Sequence, residues 1–113
     1  GHPGGDQVLR DIARIAQINV RPYDLAARFG GEEFLVLCDG ADLPTTLEVA
    51  ERIRASVASH VFCMADGRTL HASVSLGVCA STTGQAVAMI EAADQAMYRA
   101  KQAGRNRIES AQA

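Results

Sequence analysis

Tryptophan is absent from this 113-residue chain, and aromatic residues make up only 4% of it. A core has to come from aliphatic side chains instead. Apolar residues account for 48%, mostly Ala, Val, Leu and Ile, which is enough for one packed domain, and the length does not allow two. A basic excess is also missing. The 11 Lys and Arg against 13 Asp and Glu leave a formal net charge of −2. That excludes a general polyanion or nucleic-acid binder, although a single phosphate pocket needs only a few local cations. Cysteine is scarce: Cys38, Cys63 and Cys79 show no CxxC or other ligand spacing. They read as reduced core residues of a cytosolic protein rather than zinc ligands. No stretch approaches the ~20 apolar residues of a membrane span, and no signal-peptide pattern is present. The expected location is the cytoplasm, with any membrane anchor of the parent protein supplied by segments outside this chain. Internal repeats, low-complexity tracts and linkers are absent too.

What is present is an alternation of helical and strand patterns. Residues 6–18 predict a helix, with Asp6 as N-cap or first-turn acid and an apolar stripe of Val8, Leu9, Ile12, Ile15 and Ala16. A break containing Pro22 follows. Residues 25–30 and 33–38 then read as two strands of a hairpin around Gly30-Gly31, because glycine tolerates the positive φ of tight primed turns. A second helix is predicted from Leu43 to Ser59, with Thr45 and Thr46 as caps and Leu47, Ala50, Ile53 and Val57 on its apolar face. Residues 61–64 and 70–79 read as a second hairpin joined by Asp66-Gly67. A third helix covers about 84–103, with Val87, Ile90, Ala93, Ala96, Met97 and Ala100 facing the core, and Gly104 as its C′ stop. A last short strand runs through Arg107-Ile108-Glu109. Helices interleaved with antiparallel strands argue for an α+β sandwich.

The most informative string is Gly30-Gly31-Glu32-Glu33-Phe34. A glycine turn here presents two adjacent carboxylates at the mouth of a sheet, a placement that suits a divalent cation and a phosphate substrate. The bland alternative is a solvated turn. Three further strings join it: Gly1-His2-Pro3-Gly4-Gly5-Asp6, Arg21-Pro22-Tyr23-Asp24 and Lys101-Gln102-Ala103-Gly104-Arg105-Asn106, the last preceded by Ala93-Asp94-Gln95-Ala96-Met97-Tyr98. Lys101 and Arg105, four apart, can turn a point charge and a planar fork toward one phosphate group. Without such a ligand they would simply complement a helix C-terminus. Asp6 would be an ordinary cap, His2 a terminal residue, and Arg21 and Asp24 an exposed loop ion pair.

In order and spacing, these strings resemble the GGDEF family of diguanylate cyclase domains, in its GGEEF form, over essentially the entire chain. The resemblance implies a nucleotide-cyclase palm of ferredoxin-like type: an α+β fold with an antiparallel-rich central sheet and packed helices. It also implies condensation of two GTP into cyclic di-GMP with release of two pyrophosphates, by a homodimer in which each domain holds one GTP. Residue by residue, it makes His2 and Asp6 nucleotide contacts, the latter on the guanine edge. Gly30 and Gly31 let the nucleotide pack on the turn, and Lys101 and Arg105 hold the phosphates. Glu33 becomes a ligand of Mg²⁺ or Mn²⁺, and Glu32 the base or a metal-side carboxylate. The sequence leaves the division of roles between the two glutamates open. Arg21, Asp24 and Arg52 match the family's inhibitory site for the product.

The family domain normally begins some residues earlier, with a central strand bearing a metal-binding aspartate. Residues 1–113 are therefore expected to be a single N-terminally truncated domain. Little or no turnover is expected from it alone, and two sheet edges should be left open. An upstream sensory domain is the expected fusion partner. A second class of reading is a non-catalytic sensor of GTP or cyclic di-GMP. A third is a pure dimerisation domain, which explains none of the motif spacing.

Overall fold

The computed structural model describes residues 3–20, 24–30, 33–39, 42–81 and 86–112, with backbone alone at 3–6, 25, 27–30, 38–39, 81, 86 and 111–112. Helix α1 runs Pro3–Asn19, strand β1 Asp24–Gly30, β2 Glu33–Asp39, α2 Leu43–Ser59, β3 Phe62–Cys63, β4 Thr69–Leu70, β5 Ser75–Ser81, α3 Ala86–Gln102 and β6 Ile108–Gln112.

The main sheet has the order β1-β2-β5-β6. The β1/β2 hairpin is antiparallel, with Arg28 opposite Phe34, Gly30 opposite Glu33 and a register shift between those two pairs. β2 and β5 pair in parallel from Glu33↔Ser75 to Asp39↔Ser81, and β5 and β6 pair in parallel as well. The sheet is thus mixed, and the expectation of an antiparallel-rich sheet is corrected. The cause lies in the connections: a helix separates β2 from β5 and another separates β5 from β6, and a crossover helix returns the chain in the same direction. The expectation of two open inner edges is corrected too. β2 and β5 satisfy one another's backbone groups directly, so β1, β2, β5 and β6 form one continuous sheet.

The second predicted hairpin is only partly formed. Phe62 and Cys63 pair with Leu70 and Thr69 in a separate two-stranded sheet, and its turn is held by Gly67 N–H donating to the Met64 carbonyl at 3.0 Å. The alternating run after Leu70 leaves that sheet, and only its latter part, from Ser75, becomes β5. Alternation shows that a segment can be a strand, but not which strand it will join.

Helices cover both faces of the main sheet. Phe34, Val36, Leu76 and Val78 pack with Ile12 and Ala16 of α1 and Val49, Ala50, Ile53 and Val57 of α2. Leu35, Leu37 and Cys79 pack on the other face with Met89, Ala93 and Met97 of α3. This two-sided burial explains why the Phe34–Leu37 run is continuously apolar rather than alternating. The stripe predicted for α3 holds at Ala93, Ala96, Met97 and Ala100, which are buried, and fails only at its N-terminal end. Val87 is 72% exposed and Ile90 lies at the surface, while Met89 is buried. Cys63 is exposed, contrary to its reading as a core residue, whereas Cys79 is buried.

The helix ends follow from local chemistry. α1 begins at Pro3, a residue whose fixed φ and missing N–H suit a first helical position, so Asp6 is a first-turn residue and not the N-cap. α2 is capped by Asp42, whose Oδ1 accepts from Thr45 N–H at 2.9 Å. The cap is therefore one turn earlier than Thr45 or Thr46, and Pro44 lies inside the first turn. Thr46 is buried, and its hydroxyl donates to the Asp42 carbonyl at 3.0 Å. Replacing Asp42 by alanine should cost about 1 kcal/mol, the usual loss for a capping acceptor, read as a lower urea midpoint at an unchanged slope.

Candidate active site

One contact joins the two ends of the predicted site. Glu33 opens β2 and is ion-paired through Oε1 to Nζ of Lys101, in the last turn of α3, with both side chains about three-quarters covered. The two residues lie far apart in the chain, and the sheet brings them together. β2 and α3 both pack on β5, and at Gly77 of β5 the α3 backbone comes so close that a Cβ would lie 2.0 Å from the Ala93 carbonyl oxygen.

Past Lys101 the chain turns sharply. Arg105 N–H donates to the Ala100 carbonyl at 3.0 Å and Gly104 N–H to that of Lys101 at 3.5 Å. These are the paired bonds of a Schellman turn, with Gly104 at C′ and φ +124°, as the sequence predicted. Arg105 and Asn106 also have positive φ, 61° and 45°, and the Arg105 side chain is exposed. Leu76 N–H then donates to the Arg107 carbonyl at 3.0 Å, which starts the pairing of β6 with β5.

A second group sits on α2. Arg52 is exposed and donates from Nη2 to the carbonyl of Asn19, the last residue of α1, at 3.1 Å. Asn19 in turn donates from Nδ2 to the Ile15 carbonyl at 2.8 Å, closing the end of α1. Two residues further along α2, Arg54 grips both oxygens of Glu51, Nε at 2.9 Å and Nη2 at 2.5 Å, and its Nη1 donates to Asn106 Oδ1 at 3.1 Å. The hydrogen bonds from Arg54 hold the Glu51 carboxyl below its ordinary range, and that partnership raises Arg54 above its own. The Glu51 carboxylate therefore contributes stability above the ordinary glutamate range, and that contribution is lost as pH falls through the depressed value.

Of the other predicted residues, Gly30 ends β1 opposite Glu33, and Asp24 begins β1 opposite Cys38. Asp6 lies on α1, with its side chain outside the description. His2, Arg21, Gly31 and Glu32 lie outside the described residues. Glu33 and Lys101 are therefore brought together, Arg105 follows within one turn, and Arg52 stands apart at the α1–α2 junction. The bond from Arg54 to Asn106 was not foreseen, because 52 residues of separation leave no local signal. Among the described residues no three His, Cys, Asp or Glu side chains cluster in a way that could hold a metal. The Glu33 oxygens are nevertheless the hard donors that a small divalent cation prefers.

Residues 1–107 match the family described as diguanylate cyclase, GGDEF domain. The chain belongs to this family. The chain is 41% identical over 110 residues to diguanylate cyclase A of Treponema denticola, an alignment covering 96% of this chain and 29% of that protein. It is 43% identical over 112 residues to the response regulator PleD of Caulobacter vibrioides, with 96% of this chain and 24% of that one covered. It thus spans about a quarter of the length of these curated relatives. The fold agrees with solved GGDEF domains. That of DgcB from Caulobacter crescentus, solved with c-di-GMP, superposes with a TM-score of 0.79 at 32% identity, over 97% of this chain and 66% of that one. The GGDEF assignment made from the four strings is therefore correct. Among the described residues no helix is long and apolar enough to cross a membrane.

Proposed function

We propose that this chain is the nucleotide-condensing domain of a diguanylate cyclase. Two GTP are joined head to tail: the ribose 3′-oxygen of each attacks the α-phosphorus of the other, two P–O bonds form as the two α–β phosphoanhydride bonds break, two pyrophosphates leave, and the two hydroxyl protons pass to base. The observation that carries the reading is the Glu33–Lys101 ion pair. It holds an acid and a base of the right kinds together at the mouth of the sheet, at the positions where the family motif calls for a metal ligand and a phosphate cation. Lys101 supplies a point charge and Arg105 a planar fork for the triphosphate. Asp6 and His2 take the nucleoside, with the carboxylate accepting from the paired N–H donors of guanine. Gly30 and Gly31 leave the turn free of side chains against the nucleotide. Glu33, with Glu32 beside it, would hold Mg²⁺ or Mn²⁺. When bound, such an ion neutralises charge on the phosphate oxygens and lowers the pKa of the attacking hydroxyl.

Because each domain carries one GTP, the reaction requires two domains facing each other, and the working unit is a homodimer in the cytoplasm. Residues 1–113 form one domain of a longer protein in this reading, with a sensory segment upstream. The test is conversion of GTP to cyclic di-GMP by the intact protein with Mg²⁺, releasing pyrophosphate and cyclic product in a ratio of about two to one, as the chemistry above requires. GTP binding without cyclic product would overturn the cyclase in favour of a sensor. Arg21, Asp24 and Arg52 form the proposed product site. Arg21→Ala should remove inhibition by added cyclic di-GMP and leave the initial rate unchanged; inhibition at wild-type concentrations would remove that assignment.

A further inference from the structure

The turn that carries Arg105 is held from outside by α2, a helix that contributes no residue to the proposed GTP site. Arg105 and Asn106 are consecutive non-glycine residues with left-handed backbones, φ 61° and 45°. L-residues rarely adopt that conformation without something to hold them there. The Schellman bonds secure the start of the turn and the Leu76–Arg107 bond secures its exit. Between these, the Asn106 side chain accepts a hydrogen bond from Arg54 on α2. Glu51 sets the aim of that bond. By occupying Nε and Nη2 of Arg54 it fixes the guanidinium plane, which leaves Nη1 to donate to Asn106 Oδ1. A lysine at position 54 has no rigid fork and cannot serve both partners in fixed geometry.

We infer that Arg54, oriented by Glu51, is a positioning residue for phosphate binding. Through Asn106 it holds the left-handed turn that aims the Arg105 guanidinium at the triphosphate. This rests on the assignment of Arg105 to the phosphates made above. Arg54 touches no substrate in this scheme and acts only through the turn.

The experiment titrates the intact protein with GTP and, separately, with guanosine, and records the melting temperature of each variant. Arg54→Ala should weaken GTP binding roughly tenfold, since small misplacement of a binding group is costly, and leave guanosine binding unchanged. Asn106→Gly keeps the left-handed backbone accessible and deletes only the acceptor, and it should match Arg54→Ala. Asn106→Asp retains both an acceptor oxygen and tolerance of positive φ, and it should bind GTP as the wild type does. Arg54→Ala placed on top of Arg105→Ala should add no further loss. Equal weakening of GTP and guanosine would show a general structural effect and overturn the inference. So would unchanged GTP binding in Arg54→Ala and Asn106→Gly while Arg105→Ala is impaired; that result leaves the phosphate assignment standing. If Arg105→Ala itself binds GTP normally, the phosphate assignment fails and the positioning role fails with it.

Discussion

Gly77→Ala should lower the melting temperature by on the order of 10–20 °C, the largest stability effect expected of any single methyl group in this chain. The added Cβ would lie 2.0 Å from the Ala93 carbonyl oxygen, 2.4 Å from Met97 N and 2.7 Å from Met97 Cβ. Two of these three atoms are helix backbone, so no rotamer change relieves the clash, and α3 has to move away from β5. Overpacking of a tight core costs about 1–3 kcal/mol, occasionally more, and a rigid backbone neighbour favours the upper end. Each kcal/mol shifts the melting temperature of a domain this size by roughly 4–8 °C. Moving α3 also moves Lys101 away from Glu33, so GTP affinity should fall along with stability. Gly77→Val should not give a folded protein. The check is thermal unfolding followed by circular dichroism. A melting temperature within about 2 °C of wild type for Gly77→Ala would show that the close approach of α3 does not hold in solution.

The role of Gly77 illustrates what the sequence could and could not show. Its place in the run Ser75-Leu76-Gly77-Val78 is legible as strand. Nothing local says that a helix some twenty residues later will lie against its Cα. Features decided within one turn were readable. The span of α2 was predicted at the observed bounds, since its apolar positions repeat at helical spacing, and Gly104 was recognised as a helix stop because its chemistry is specific to that position. The β1/β2 hairpin was readable for the same reason.

Features decided between distant elements were not readable. The run after Leu70 alternates well enough for a hairpin, yet it leaves its neighbour for a parallel pairing with β2, and the antiparallel-rich sheet fell with that misassignment. On α3, Val87 and Ile90 are as hydrophobic as Met89; only the position of the sheet selects Met89 for burial. The candidate site shows the same division. Residue identities at Glu33, Lys101 and Arg105 were available from motif spacing. The meeting of Glu33 with Lys101, and the bond from Arg54 to the Arg105 turn, depend on how α2 and α3 dock.

Glu33→Ala should reduce cyclase turnover by about 10³-fold or more, since loss of several kcal/mol of metal-assisted charge stabilisation at the transition state translates into that factor. The fold should survive. The ion pair to Lys101 is only partly covered, and pairs of this kind contribute about 0–1 kcal/mol, so the melting temperature should fall by no more than a few degrees. The more informative consequence concerns Lys101. With Glu33 present, the Lys101 ammonium is engaged before any nucleotide arrives, and a phosphate group has to compete for it. Removing the carboxylate frees that charge and removes a repulsive neighbour of the triphosphate. Metal-free GTP, titrated in EDTA, should therefore bind Glu33→Ala at least as tightly as wild type, while the strengthening of binding by Mg²⁺ disappears. Glu33→Gln, which keeps the shape and loses the charge, should behave in the same way. Lys101→Ala should do the opposite, weakening GTP binding with and without Mg²⁺. If Glu33→Ala weakened metal-free GTP binding as much as Lys101→Ala does, the two residues would act as a structural pair, and the division into metal ligand and phosphate cation would fail.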